Sequence, residues 1–217
     1  SLRVGLGSGP GAMLMTPWLI HMARHFPSVQ VTVTRGSTEL QLVQLRDRQL
    51  DALVVDVRRV VPAADIRIEL LADMRAGFVC RQGHPLLEQG MPIPFESLLA
   101  YPIASTPLSD EVARIMVAHY GPKADPAQMT TLRCEEIASL IDTVRQTDAV
   151  YLGIMGAARA ELASGSLVEL AMEPPFRSGA RLAMVTMTGR TELPVMKEFR
   201  RFVKLHLSDA QDAGVLT

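Results

Sequence analysis

The chain has 217 residues, 48% hydrophobic and 21% charged, and 22 Lys and Arg against 23 Asp and Glu give a net charge of −1. Such a length lies between one large domain and two small ones and buries roughly 70% of the unfolded surface. Balanced charge excludes a segment that grips nucleic acid by itself, and the absence of an apolar run of about 18 residues excludes a helical membrane span.

The first element is a hydrophobic strand, Leu2 to Gly7, running into a Gly/Ser/Pro loop over Ser8 to Gly11. A strand feeding a helix through such a loop leaves the first N–H groups of the helix aimed at the loop, where an anion or polar ligand is favoured. Leu14, Trp18, Met22 and Phe26 fall near one helical face, with Thr16-Pro17 as N-cap and first turn and the residues before them a separate short turn. Pro27 stops this helix, and Gln30 to Thr34 is a β-branched strand. Gly36, Ser37 and Thr38 open a second helix, with Thr38 and Gln41 as a capping box, that runs to about Gln49. Ala52 to Val57 is a continuous apolar strand of the kind buried on both faces of a parallel sheet.

The order to this point, β-α-β-α-β, is a doubly wound unit. Two strands without a helix between them follow, Ile66 to Leu71 and Gly77 to Arg81. The unit then restarts: Ile103 to Ser105 meets Thr106, Pro107 and a helix marked by Val112, Ile115, Met116 and His119, closed by Gly121 and Pro122. Thr130 to Arg133 is a strand, and Ile137, Leu140, Ile141 and Val144 form a helix stripe. Ala149 to Ile154 is a buried strand, followed by a short helix ending near Gly165, strands at Leu167 to Met172 and Leu182 to Met187, and a last amphipathic helix through Val195, Phe199, Phe202 and Val203. Ser208 to Thr217 has no period. Two strand-to-helix mouths in one chain predict a ligand cleft between two α/β lobes.

These segments, in this order, resemble the effector-binding domain of LysR-type transcriptional regulators over nearly the whole chain. The landmarks are the opening strand and Ser8 loop, HFPSVQVTV (His25 to Val33), RGSTELQLVQLRDRQLDALVV (Arg35 to Val55), VCRQGHPL (Val79 to Leu86) and YLGIMGAARAELASGSLVEL (Tyr151 to Leu170). Order and spacing together carry the resemblance, with His84-Pro85-Leu86 the most telling piece. It implies a type II periplasmic-binding-protein-like α/β fold of two doubly wound lobes joined by two crossover segments. Lobe I takes residues 1–80 plus 183–217 and lobe II residues 81–182. It further implies a small effector bound between the lobes, a homodimer (a tetramer in the full-length protein), and a cytoplasmic location; the helix N-termini at the mouths add the expectation that the effector is acidic. DNA would be contacted only through an N-terminal winged helix-turn-helix domain absent from this chain. The alternative is a periplasmic solute-binding protein of a transport system with the same fold.

Candidate effector-binding residues are Ser8, Gly9 and Pro10 at the first mouth, and Ser37 and Thr38 at the second helix. Ser105, Thr106 and Pro107 at the later mouth, together with Cys134 and Met155, complete the set. Ser8 reads equally as a helix cap, Ser37 and Thr38 read first as caps with the resemblance implying ligand contact there, and Ser105, Thr106 and Ser109 share the ambiguity. A hydroxyl can serve both roles, because capping leaves its proton free to donate. Cys134 reads as a small wall or core residue, with a redox role as the lesser alternative. It also departs from the polar residue that relatives often carry at this helix start. Met13 and Met155 read as packing residues that adjoin the mouths. Trp18, Leu19, Met22 and Phe26 present either a surplus apolar face for a dimer contact or a completion of the lobe's own core. Cys80 and Cys134 lie outside metal-ligand spacing, which suits a reducing compartment. No Ser/His/Asp arrangement or carboxylate pair stands out, so the expectation is no enzyme activity, no metal and no cofactor.

Overall fold

A computed structural model describes residues 1–208. The chain divides into two compact units, Ser1–Met74 with the segment from Ala180 onward, and Arg75–Gly179. From the sequence, the expected changes of lobe fall at 80/81 and 182/183; these boundaries fall at 74/75 and 179/180.

The first unit contains β1 (Leu2–Leu6), α1 (Ser8–His25), β2 (Val31–Arg35), α2 (Thr38–Arg46), β3 (Ala52–Asp56) and the start of β4 (Ile66–Arg81). Its sheet order is β2-β1-β3 with a later strand beside β3. Strand β1 pairs in parallel with both β2 and β3, so α1 and α2 start at the same, carboxyl edge of the sheet. The four residues Ala52 to Val55 of β3 are fully buried, as an apolar run between two covered faces requires.

The second unit continues β4 and adds β5 (Ile93–Pro94), α3 (Phe95–Leu98), β6 (Ile103–Ser105), α4 (Asp110–Tyr120), α5 (Pro126–Met129) and β7 (Thr130–Arg133). It is completed by α6 (Ile137–Gln146), β8 (Val150–Ile154), α7 (Arg159–Ser164), β9 (Leu167–Leu170) and β10 (Met172–Glu173). Strand β6 pairs in parallel with β7 and β8, while β4 pairs antiparallel with β8 and β9. Alternate residues of these strands serve two different cores. Phe78, Cys80, Ile103 and Leu152 enter one, and Val79, Ala104 and Tyr151 the other, as the two-residue period of a strand dictates. The chain then returns through β11 (Gly179–Met187), antiparallel to β3, and ends its described part in α8 (Pro194–Ser208).

Several expectations are corrected. Helix α1 starts at Ser8, not Thr16, and holds Pro17 in its interior. Burial of Met13, Leu14, Trp18 and Met22 along one continuous face outweighs the local breaker. Helix α2 is capped by Ser37, whose Oγ accepts from the Leu40 N–H at 3.3 Å, rather than by Thr38, and it ends at Arg46 rather than Gln49. Gln41 closes no capping box: its Nε2 donates across to the carbonyls of Leu6 and Thr34. The two strands expected over 66–81 are one strand of 16 residues. The single strand expected over 167–172 is two, β9 and β10, because Met172 pairs with Ile93 instead of with β4. Trp18 is fully buried, with its ring 5.0 Å from Phe199 and 5.1 Å from Phe202 of α8, so it completes the core of its own unit. Leu19 and Ile20 beside it remain exposed. The period-free tail lies, from residue 209, outside the described residues.

Candidate functional site

In the first unit the carboxyl edge of the sheet gathers Ser8, Gly9, Pro10, Ser37 and Thr38. Gly7 is the N-cap of α1 and offers no capping side chain, while its own N–H donates to the Val54 carbonyl at 2.9 Å. The N–H of Gly11 closes the first helical bond onto the Gly7 carbonyl at 2.7 Å. That leaves the N–H groups of Ser8 and Gly9 in the first turn with no intrahelical acceptor, and Pro10 has no N–H to satisfy. No acidic residue occupies this turn. Helix α2 differs: Ser37 already caps it, Glu39 sits in its first turn, and Thr38 is buried.

Arg35, the last residue of β2, was not singled out by sequence reading. A Cβ placed on Gly11 would stand 3.1 Å from the Arg35 Nε, so the arginine side chain lies along the first turn of α1. A guanidinium and the positive end of a helix dipole thus converge, and both favour an anion there. The signal in the sequence was an arginine at a strand end directly before Gly36-Ser37, but only the packing of β2 against α1 brings it to the mouth.

In the second unit the corresponding edge is formed by β7, β6 and β8. Ser105 ends β6 and is fully buried; its Oγ donates to the Leu152 carbonyl at 2.8 Å, and its own carbonyl accepts from the Cys134 N–H at 3.3 Å. Thr106 and Pro107 follow in the loop, and Ser109 caps α4 by accepting from the Val112 N–H at 3.4 Å. Cys134 accepts from the Glu136 N–H at 3.3 Å through Sγ, packing as a small residue at the start of α6. Met155 follows β8 and is buried, and its Sδ would be 2.8 Å from a Cβ on Gly77, so it fills the space that a glycine leaves. The structure therefore brings Ser105, Cys134 and Met155 to neighbouring strand ends, and Ser8, Ser37 and Thr38 to neighbouring strand ends in the other unit. Among the described residues, no three His, Cys, Asp or Glu side chains gather as metal ligands, and no helix is long and apolar enough to cross a membrane.

The Gly83-His84-Pro85-Leu86 segment has a structural task. His84 is fully buried, its Nδ1 accepts from the Leu86 N–H at 3.0 Å, and its Nε2–H donates to the Asp148 carbonyl at 2.9 Å.

Two parallel-stranded α/β units, the second inserted into the first, define a type II periplasmic-binding-protein-like fold. The chain belongs to the LysR substrate binding domain family, matching it over residues 1–208. It is similar to the HTH-type transcriptional regulator PcaQ of Agrobacterium fabrum, 26% identical over 167 residues, covering 76% of this chain and 53% of that protein. It is also similar to the HTH-type transcriptional regulator GbpR of Azospirillum brasilense, 20% identical, covering 88% of this chain and 60% of the regulator. The chain thus spans little more than half the length of these relatives. Among solved structures, the CrgA regulatory domain from Neisseria meningitidis superposes with a TM-score of 0.74 at 14% identity, covering 95% of this chain and 98% of that one. The effector domain of AmpR from Pseudomonas aeruginosa gives 0.68 at 17% identity, with 96% of each chain covered. At these identities the structural likeness establishes the fold.

Proposed function

We propose that this chain is the effector-sensing part of a cytoplasmic LysR-type DNA-binding transcriptional regulator, and that its effector is a small molecule bearing a carboxylate or similar acid group. The observation carrying the acidic class is the convergence of Arg35 with the uncapped, acid-free first turn of α1. The effector's acid group takes the Ser8 and Gly9 N–H groups and the Ser8 hydroxyl. Ser37 and Thr38 share the carboxyl edge of the first unit with Ser8, and Ser105, Thr106, Pro107, Cys134 and Met155 stand at the corresponding edge of the second, where they offer further contacts to an effector. Binding favours one arrangement of the two units over others. An oligomer, a homodimer for this chain and a tetramer for the full-length protein, relays that preference to N-terminal winged helix-turn-helix heads. Relatives named as HTH-type regulators support this reading over a transport protein or an enzyme.

Calorimetry with a panel of small carboxylic acids and their amides tests the proposal. An acid that binds should lose about 1 kcal/mol or more on Ser8→Ala and more on Arg35→Gln, where a charge-assisted contact is removed. Affinity indifferent to both substitutions, or equal for acid and amide, would refute the acidic site. In a gel shift, the chain alone should leave an operator unshifted while the full-length protein retards it.

A further inference from the structure

The opposite edge of the first unit's sheet carries a cavity. Because β1 and β3 are parallel and β11 runs against them, the start of β1, the residue before β3 and the end of β11 share the amino edge. There Leu2, Met187, Leu193 and Met196 form an apolar floor and flank in a cavity of about 350 Å³, with Arg67 of β4 at its rim. Five residues of β1 separate this edge from Ser8, about 17 Å at ~3.3 Å per residue. Its volume is that of a small-ligand pocket.

The charges around the cavity are unequally spent. Asp51 accepts from the Arg3 backbone N–H at 2.8 Å and from the Arg3 guanidinium at 3.1 Å, and Arg190 approaches it at 3.4 Å. Arg200 donates to Glu69 at 2.8 Å and pairs with Glu192. Among the described residues, the Arg67 guanidinium makes no hydrogen bond or ion pair, and the residue is exposed at the strand's start. Of the three arginines lining the cavity, Arg67 is therefore the one whose charge no carboxylate offsets. An apolar floor with one uncompensated guanidinium at the rim fits a ligand with an apolar body and a single negative head.

We propose that this cavity is a second ligand site, distinct from the edge that holds Ser8, and that it takes small amphipathic monocarboxylates, the carboxylate on Arg67 and the hydrocarbon on Met187, Leu193 and Met196. Octanoate titrated into the chain, with isotope-labelled methionine methyls read by NMR, tests this. The Met187 and Met196 methyl resonances should shift saturably, and octanamide should bind at least tenfold more weakly. Arg67→Gln, at an exposed position that leaves the fold intact, should weaken octanoate about tenfold without changing octanamide. Leu193→Asp should act in the same direction by placing a like charge at the half-exposed wall, and Ser8→Ala, which weakens acids at the opposite edge, should leave the octanoate-induced shifts of the Met187 and Met196 methyls as in the wild type. The proposal is overturned if neither methyl shifts, if Arg67→Gln binds octanoate as well as the wild type, or if octylammonium binds more tightly than octanoate.

Discussion

His84 is held at both ring nitrogens, and the two bonds fix its neutral Nε2–H tautomer, since Nδ1 must accept while Nε2 donates. Replacing it with Phe keeps the ring but leaves the Leu86 N–H and the Asp148 carbonyl without these partners. His84→Phe should cost about 1–3 kcal/mol, seen as a lower urea midpoint at unchanged slope. Asp51 makes a pH-dependent contribution of defined sign. Burial pushes its carboxyl up, but the Arg3 hydrogen bonds and the Arg3 and Arg190 charges outweigh that and hold it below the ordinary value. Its contribution is therefore complete above the unfolded value near 4 and vanishes as pH falls through the lower folded value. Asp51→Asn should be less stable than the wild type at neutral pH, and the gap should close as urea melts are repeated below about pH 4. At this scale the sequence was partly legible. The Ser37-Thr38 pair announced a cap, but two adjacent hydroxyls satisfy the same local rule and tertiary burial of Thr38 decides between them. The partner of Ser105, the Leu152 carbonyl, lies 47 residues away and is set by strand pairing that no local pattern contains.

Among the elements, α1 shows where local signals mislead. Thr16-Pro17 has the form of a helix start, yet the helix passes through it because Met13 and Leu14 ahead of the proline, with Trp18 and Met22 behind it, are buried on one side. Pro17 thus removes one bond from a helix interior. Restoring it by Pro17→Ala should gain about 3 kcal/mol of helix propensity less about 1 kcal/mol for the freer unfolded chain, a net stabilisation near 2 kcal/mol. Thermal unfolding should register this as a rise in Tm, and an unchanged Tm would mean that the proline's shape is needed for Trp18 to meet Phe199. The stripe of α6 and the buried run of β3 were legible, because in each the period matches a single environment. Strand β4 was not: a change of exposed and buried faces around Leu71 to Ala76 has the form of a break in a strand whose surroundings change instead.

On the scale of the whole chain, the α/β class and the doubly wound repetition follow from alternating strand and helix periods, and the insertion of one unit in the other came from the family resemblance. The spacing of elements states their order; it does not state that Leu182 to Val185 of β11 return to lie beside Leu53 to Asp56 of β3. That return has a consequence for how the protein is born. As the polypeptide leaves the ribosome, β1, β2 and β3 emerge first, but the strand that covers β3 is made only after all of Arg75–Gly179. The ends of an intervening segment of about a hundred residues must meet before the first unit closes, an entropy cost of roughly 4 kcal/mol by (3/2)RT ln n. The second unit is contiguous in sequence and carries no such wait. Pulsed hydrogen exchange during refolding should find the amides of β6 and β8 protected before those of β3, whatever the order of synthesis. The unit begun before the other is the one finished after it, and until β11 arrives the apolar run Ala52 to Val55 keeps one unpaired, adhesive edge.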